Sequence, residues 1–464
     1  MSKYYLRIEG VNLTNFVYDT QDLSTIRGGG LRLLDAIEEI EDRFKNKLHP
    51  ISTGASSGLF EANVSTFDDA QHVKGQVKDY LNKDSCLKYA TFVVDILKSN
   101  DSNFKEDKEK ILALNRWSQM QSPSVAVPSQ TSDTPCTIDM VRPAGSNRLP
   151  KYKDKEDVPV SDSVYYRRDY GLKAKQRFYE KITGITTLPE FVYDLDKLTS
   201  DESQGNLHHK MAVIYIDGNR FGAIQEETKV QDELKSWDDT IKQYRKQMLG
   251  ELLNETILKP EWTNGDKHRM ETLLWGGDEI IWVVPAWVGW WTLDFFYRHS
   301  KSWRFNGTPL KHAAGIVFCH HNAPIHRITP LAKELAEEAK KKDRSKSLFV
   351  YQKLESFDHI GKDFKSHVSS VYKGKAKADD LILDGEQMQK IRAQIIELKE
   401  NDFPVSRLHK VVYAVISGQE DIESIIKKTI TDKALTEQLK SLTTLLNGES
   451  TKWIHIAELW DYII

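Results

Sequence analysis

Two apolar runs, Leu273-Leu-Trp and Ile-Ile-Trp-Val-Val284, flank the tetrapeptide Gly276-Gly277-Asp278-Glu279. The glycines supply a tight reversal, so the segment predicts a strand–turn–strand hairpin with two carboxylates at its tip. Carboxylates beside so much apolar surface are costly unless a cation or hydrogen bonds compensate them. Otherwise the segment is a solvent-exposed turn. A further acid bears on the choice: the apolar run Met211-Ala-Val-Ile-Tyr-Ile216 ends in Asp217, followed by Gly218-Asn219-Arg220-Phe221-Gly222. A strand-end Asp facing a hairpin-tip Asp is a set of hard oxygen donors suited to Mg2+ or Mn2+. Two such ions about 4 Å apart activate an attacking hydroxyl and stabilise a leaving pyrophosphate in phosphoryl transfer. Asp217, Asp278 and Glu279 are therefore expected to be catalytic and metal-ligating. Gly218, Asn219, Arg220, Phe221, Gly222, Gly276 and Gly277 are expected to present backbone N–H groups to phosphates.

The pattern along the chain repeats. Strands over Tyr4 to Glu9 and Tyr89 to Leu97, helices over Gly30 to Phe44 and Asp69 to Leu81, and a hairpin around Ser56-Ser57-Gly58 give a βαββαβ order. That order returns with a strand over Met211 to Ile216, a helix over Glu226 to Leu258 and hairpin strands over Met270 to Trp275 and Glu279 to Val284. A helix over Trp287 to Ser302 and a strand over His312 to Cys319 complete it, and a helix over Pro330 to Lys341 and a strand over Leu348 to Gln352 follow. Between the two blocks, Pro123, Pro128, Pro135, Pro143, Pro150 and Pro159 mark a linker or loosely folded insertion, after which helical pattern resumes around Lys173 to Ile182. From Asp380 onward the pattern is helical throughout, with Ile391, Ile395, Ile396 and Leu398, then Leu435, Leu439, Leu442 and Leu445, at helical spacing.

Composition narrows the function classes. A net charge of −3 over 464 residues gives no global pull toward a polyanion, so such contacts must come from local clusters such as Lys340-Lys341-Lys342. Three scattered cysteines, Cys86, Cys136 and Cys319, supply no structural zinc set and fit a reducing cytoplasm. The apolar run from Ile280 to Phe296 contains Pro285 and Asp294 and falls short of the roughly 20 residues that span a bilayer, so no membrane contact is expected. Its Trp287, Trp290, Trp291 and Phe295 read as core. His320-His321 read as structural, because adjacent strand residues point to opposite faces. Arg27-Gly28-Gly29-Gly30 read as a helix entry or as a phosphate cradle at a helix N-terminus.

The Gly-Gly-Asp-Glu hairpin, the strand ending at Asp217, the segment from Ala314-Gly315 to His320-His321-Asn322-Ala323-Pro324 and Glu337-Glu338-Ala339-Lys340 together resemble the second palm domain of the large polymerase-cyclase subunit of type III CRISPR effector complexes. The hairpin string alone also resembles the GGDEF motif of diguanylate cyclases. The resemblance spans about Met211 to Phe357, and more loosely the N-terminal unit, Val160 to Ser163 and the C-terminal Trp453 to Trp460. It implies an α+β protein with two ferredoxin-like (βαββαβ) palm domains plus a C-terminal helical bundle. The expected division is 1–105, a degenerate N-terminal palm; 106–205, linker and small helical insertion; 206–358, the catalytic palm; and 359–464, the helical domain. It further implies a nucleotidyltransferase that uses two Mg2+ or Mn2+ ions to join ATP by 3′–5′ bonds into cyclic oligoadenylate in prokaryotic antiviral defence. Asp217 and Asp278 then hold metal, Glu279 stands where the family commonly has a second Asp, and Lys340 approaches the triphosphate. Implied partners are nucleoside triphosphates, RNA or CRISPR-like effector subunits, a downstream sensor of the cyclic product, and a homodimer mate. The alternatives are a non-catalytic RNA-binding subunit or a GTP-using diguanylate-cyclase-like enzyme. Three departures from the family stand out. No His-Asp dipeptide occurs, so DNA cleavage is not implied; only Cys136 lies where the family often has a four-cysteine zinc site; and the first hairpin, Thr53-Gly54-Ala55-Ser56-Ser57-Gly58, carries no acids. That acid-free unit suits an acceptor nucleotide, with Gly28-Gly29-Gly30 at its phosphates.

Overall fold

The computed structural model describes residues 3–463 apart from 55, 100–102, 123–132, 355–362, 375, 401 and 418–451. The expected leucine stripe from Leu435 to Leu445 lies outside the described residues. The first sheet is built from β1 (Tyr4–Val11), α1 (Leu23–Arg43), β2 (Leu48–Thr53), β3 (Ser57–Ala62), α2 (Phe67–Lys83) and β4 (Thr91–Lys98), in the strand order β2-β3-β1-β4. Both neighbours of β1 run antiparallel to it. Helix α3 (Phe104–Met120) follows. A small hairpin, β5 (Arg148–Tyr152) and β6 (Lys155–Pro159), closes over buried Cys136, Leu149 and Val158 and leads into α4 (Asp162–Thr183).

The second sheet contains β7 (Lys210–Gly218), β8 (Glu271–Gly276), β9 (Glu279–Pro285), β10 (His312–His320), β11 (Leu348–Lys353) and β12 (Ile382–Asp384), in the order β8-β9-β7-β10-β11-β12. Its first four strands repeat the order of the first sheet. The crossovers are α5 (Phe221–Glu227) with α6 (Gln231–Thr256), α7 (Ala286–Ser300) and α8 (Ile325–Lys342). The strands of this sheet are apolar on both faces, because α7 covers one side and α8 the other, and Trp287, Trp290 and Phe295 of α7 are buried as expected. Helices α9 (Phe364–Val371), α10 (Gly385–Glu400), α11 (Val405–Ser417) and α12 (Lys452–Leu459) follow, and Tyr351 on β11 meets His455 of α12 at 2.8 Å.

Three local expectations change. Helix α1 starts at Leu23, capped by Asp22, so the glycine triplet lies inside the helix and not at its N-terminus. A Cβ on Gly28 would sit 1.7 Å from the Arg167 carbonyl oxygen, and one on Gly171 2.0 Å from that of Ser24. The glycines let α1 and α4 touch backbone to backbone, and they cradle no phosphate. The expected single helix over Glu226 to Leu258 is two helices. Lys108 of α3 ties up the break, donating to the Gln225 carbonyl and, at 2.9 Å, to Thr228 Oγ1. The region after Asp380 is not wholly helical, because Ile382–Asp384 pairs with β11 as the sheet's last strand.

The two sheets are joined by buried charge. Arg27 of α1 donates to both carboxylate oxygens of Glu271 on β8, at 2.7 and 2.5 Å, and Lys175 of α4 reaches the same carboxylate at 2.8 Å. All three side chains are essentially inaccessible. The first hairpin docks on α6, where Asp238 accepts from the Thr53 amide at 3.2 Å.

Candidate active site

Strand β7 is central in its sheet, so Asp217 near its end is flanked on both sides, facing Glu279 of β9 and Ala313 of β10. Gly277 turns the hairpin at φ 39°, where a side chain would be strained. The Gly218 amide donates to the Asp278 carbonyl at 3.2 Å, pinning the hairpin tip over the strand end. Buried Arg245 of α6 holds the tip from behind, donating to the Gly277 carbonyl at 2.6 Å and the Glu279 carbonyl at 3.2 Å, with its guanidinium 4.3 Å from the Trp275 ring centroid. Burial lowers the pKa of Arg245 to about 10, against the pull of Asp278 and Glu279.

Tyr215 lies two residues before Asp217 and therefore on the same face. Its hydroxyl bonds Glu279 Oε1 and stands 3.3 Å from Asp217 Oδ2. Helix α8 sends down two lysines: Lys340 pairs with Asp217 Oδ2, and Lys333, two turns earlier, reaches Glu279 Oε1 at 2.9 Å. The three acids are not equally compensated. Burial, then the neighbouring Asp278, raise Asp217 to about 6 despite Lys340. Burial and Glu279 also raise Asp278. Burial pushes Glu279 up too, but the Tyr215 hydroxyl and Lys333 outweigh it and leave its pKa lowered. Buried Asp217 and half-buried Asp278 thus resist joint ionisation, beside a third carboxylate already charged, and all three offer hard oxygen donors.

The turn after Asp217 divides in role. The Asn219 amide donates to the Lys311 carbonyl at 2.8 Å and its side chain to the Lys346 carbonyl at 2.9 Å, so it braces the loop. Arg220 adopts the left-handed conformation at φ 61° before α5. Phe221 is buried edge-on against Trp237 and His312. A Cβ on Gly218 would strike the Phe221 ring at 2.5 Å, whereas one on Gly222 would meet open space.

Two clefts meet at Gly277 and Asp278. One, of about 440 Å³, runs between the site and α1, lined by Glu38, Gly54, Lys242, Arg245 and Gly276 among others. The other, of about 1060 Å³, opens toward the first sheet and α3, past Arg7, Ser57, Lys105, Trp117 and Gly222. Both are walled on one side by the first sheet's elements. Tyr215, Lys333 and Arg245 escaped the sequence reading. The two-residue spacing of Tyr215 from Asp217 and the seven-residue spacing of Lys333 from Lys340 were available signals; Arg245 offered none.

Fold and site together define a mixed α+β protein whose second sheet gathers three acids at the end of its central strand. No protein-family profile and no curated protein sequence matches the chain. Among solved structures, the apo Csm1–Csm4 cassette is similar over 100% of this chain and 70% of that one, at 12% identity and TM-score 0.59. The cassette in complex with one ATP is similar over 100% and 70%, at 10% identity and TM-score 0.57. The cassette in complex with cA4 is similar over 98% and 70%, at 10% identity and TM-score 0.56. At such identities the likeness is one of fold. Among the described residues, no helix is long and apolar enough to cross a membrane.

Proposed function

We propose that the chain is a metal-dependent nucleotidyltransferase, built on two ferredoxin-like palms, that converts ATP into a cyclic oligonucleotide messenger. The observation that carries this reading is the meeting of Asp217, Asp278 and Glu279 at the end of the central strand, with Asp278 lining both clefts. Structures of similar fold hold one ATP and cA4 in their cassettes, which supports ATP as substrate and CRISPR effector subunits as partners. Mg2+ or Mn2+ held by Asp217, Asp278 and Glu279 would supply Lewis-acid polarisation of the attacking hydroxyl and of the attacked phosphate. The protein's own contribution is positional. Arg245 fixes the hairpin, Tyr215 and Lys333 keep Glu279 ionised, and Lys340 brings a cation to Asp217, where it could meet a triphosphate's charge. The acid-free first hairpin faces the same clefts and suits the nucleotide whose 3′-hydroxyl attacks.

The test is a rate comparison in the full chain with saturating Mn2+ or Mg2+. Asp217→Ala and Asp278→Ala each lower turnover at least about a hundredfold with the fold intact. Ser56→Ala with Ser57→Ala stays within about twofold of wild type. Near-normal turnover by either Asp variant removes the assignment.

A further inference from the structure

The end of β7 remote from Asp217 carries a second cluster of potential ligands. Lys210 pairs with His320 there, about 23 Å along the strand from Asp217 at the usual rise per residue. His209 and His321, each one residue beyond the ladder, are thereby brought together. The His321 amide donates to the His209 carbonyl at 2.8 Å, and the two rings lie 4.9 Å apart. Asp196, on the short helix Leu195–Thr199, completes the group. Its Oδ1 is 3.3 Å from His209 Nδ1 and 3.6 Å from His321 Nε2.

We propose that Asp196, His209 and His321 bind one divalent transition-metal ion of the Zn2+ class, which clamps the segment before β7 to the turn after β10. The donor atoms all lie within 4.8 Å of one another. A four-coordinate ion about 2.0–2.1 Å from each donor implies donor–donor edges of roughly 3.4 Å, close to the two Asp–His separations. The rings are prepared for it. His321 Nδ1 lies 3.2 Å from the His209 carbonyl, and an N–H donated there leaves the Nε2 lone pair for the cluster, the usual outer arrangement of a metal-bound imidazole. His209 Nδ1 is buried and makes no hydrogen bond among the described residues, although it faces a carboxylate oxygen. A cation shared by His209 Nδ1 and the Asp196 carboxylate would satisfy both groups. His209 is held in this pose at φ 63°, its amide donating to the Thr199 carbonyl at 2.9 Å. Imidazole donors favour Zn2+ over Mg2+, so this site and the acids at the other end of the strand select different ions. Asp196 is 61% exposed, which leaves the fourth position to water.

His320 and His321 themselves do not chelate as a pair, because His320 is not in the cluster. The partner ligands come from the neighbouring strand and a preceding helix.

The test uses the full chain, stripped with chelator and then equilibrated with Zn2+ in excess Mg2+, with bound zinc measured by elemental analysis after gel filtration. Wild type and Asp217→Ala are expected to carry one Zn2+ per chain. His209→Ala, His321→Ala and the surface variant Asp196→Asn are expected to bind at least about tenfold more weakly. Zinc should raise the melting temperature of wild type and not that of the histidine variants, whose metal-free folding is checked by circular dichroism. Co2+ in place of Zn2+ should give the visible absorption of a low-symmetry nitrogen–oxygen site in wild type and Asp217→Ala, and not in the histidine variants. Absence of zinc from wild type, or unchanged zinc content in Asp196→Asn and the histidine variants, overturns the proposal. Loss of zinc in Asp217→Ala alone would place the ion at the acids instead.

Discussion

The two sheets repeat one strand order but treat equivalent positions differently. In the first, Glu9 near the end of the central strand faces Ser57, and its charge is met by Arg7 on its own strand at 2.8 Å. In the second, Asp217 near the end of the central strand faces Glu279, with Asp278 beside both and lysines reaching in from a helix. The loops differ accordingly. The first hairpin spans residues 54–57 between the Thr53–Gly58 pair, whereas the second turns through Gly277 and Asp278 alone. A shared framework therefore does not fix chemistry. Charge that is neutralised locally is a surface feature, and charge concentrated beyond what neighbouring cations offset is a donor set.

The comparison breaks most severely where the sheets are joined. Glu271→Ala leaves Arg27 and Lys175 buried without their carboxylate, and should destabilise the chain by about 3–5 kcal/mol in chemical denaturation. An unchanged denaturation midpoint would mean that the two halves are held together by other contacts. Next come the glycines. Gly28→Ala forces α1 off α4 and should cost about 3 kcal/mol, while Gly75→Ala on α2, where a Cβ meets nothing within 4 Å, should stabilise by about 1 kcal/mol. Thermal melts of the two variants check both signs at once. The third effect is a pH dependence at the second sheet's acids. The folded chain holds a proton on Asp217 up to about pH 6, above the ordinary value of 3.8, whereas the unfolded chain releases it earlier. Metal-free stability should therefore fall by up to roughly 3 kcal/mol as the pH rises from about 4 to about 6. Asp217→Asn should remove most of that slope, leaving the part due to Asp278. A slope identical in the variant would show that Asp217 is not strained by its neighbours.

Much of this was legible in the sequence. Alternation and apolar runs mark every strand that builds the first four positions of each sheet, and the period of two places Asp217 at a strand end. The hairpin acids announce themselves because Gly-Gly admits only a tight turn there. What misled was context. A glycine triplet ahead of Leu31 and Leu33 reads as a helix entry, yet backbone contact with Gly171 makes it helix interior. The break after Glu227 has no proline to signal it and depends on Lys108 from another helix. Ile382–Asp384 is too short to show a period, and it is a strand only because β11 offers an edge. The run Lys340-Lys341-Lys342 does not by itself single out one lysine, and only the resemblance places Lys340 at the triphosphate. Its neighbours Lys341 and Lys342 pair with Glu338 and the Asp379 carbonyl, while it alone turns to Asp217.

If the acids of the second sheet serve nucleotide joining, the product itself is the decisive observable. The metal-loaded wild-type chain is incubated with each radiolabelled nucleoside triphosphate in turn, in Mg2+ and in Mn2+, with candidate target RNA and effector subunits present. Products are separated and their linkage and ring closure determined by nuclease digestion and mass spectrometry. The expected result is a 3′–5′ linked cyclic product from ATP with release of pyrophosphate. A product from GTP alone would move the chain to diguanylate-cyclase-like chemistry, and no product from any triphosphate in either metal would rule out nucleotide joining at these acids.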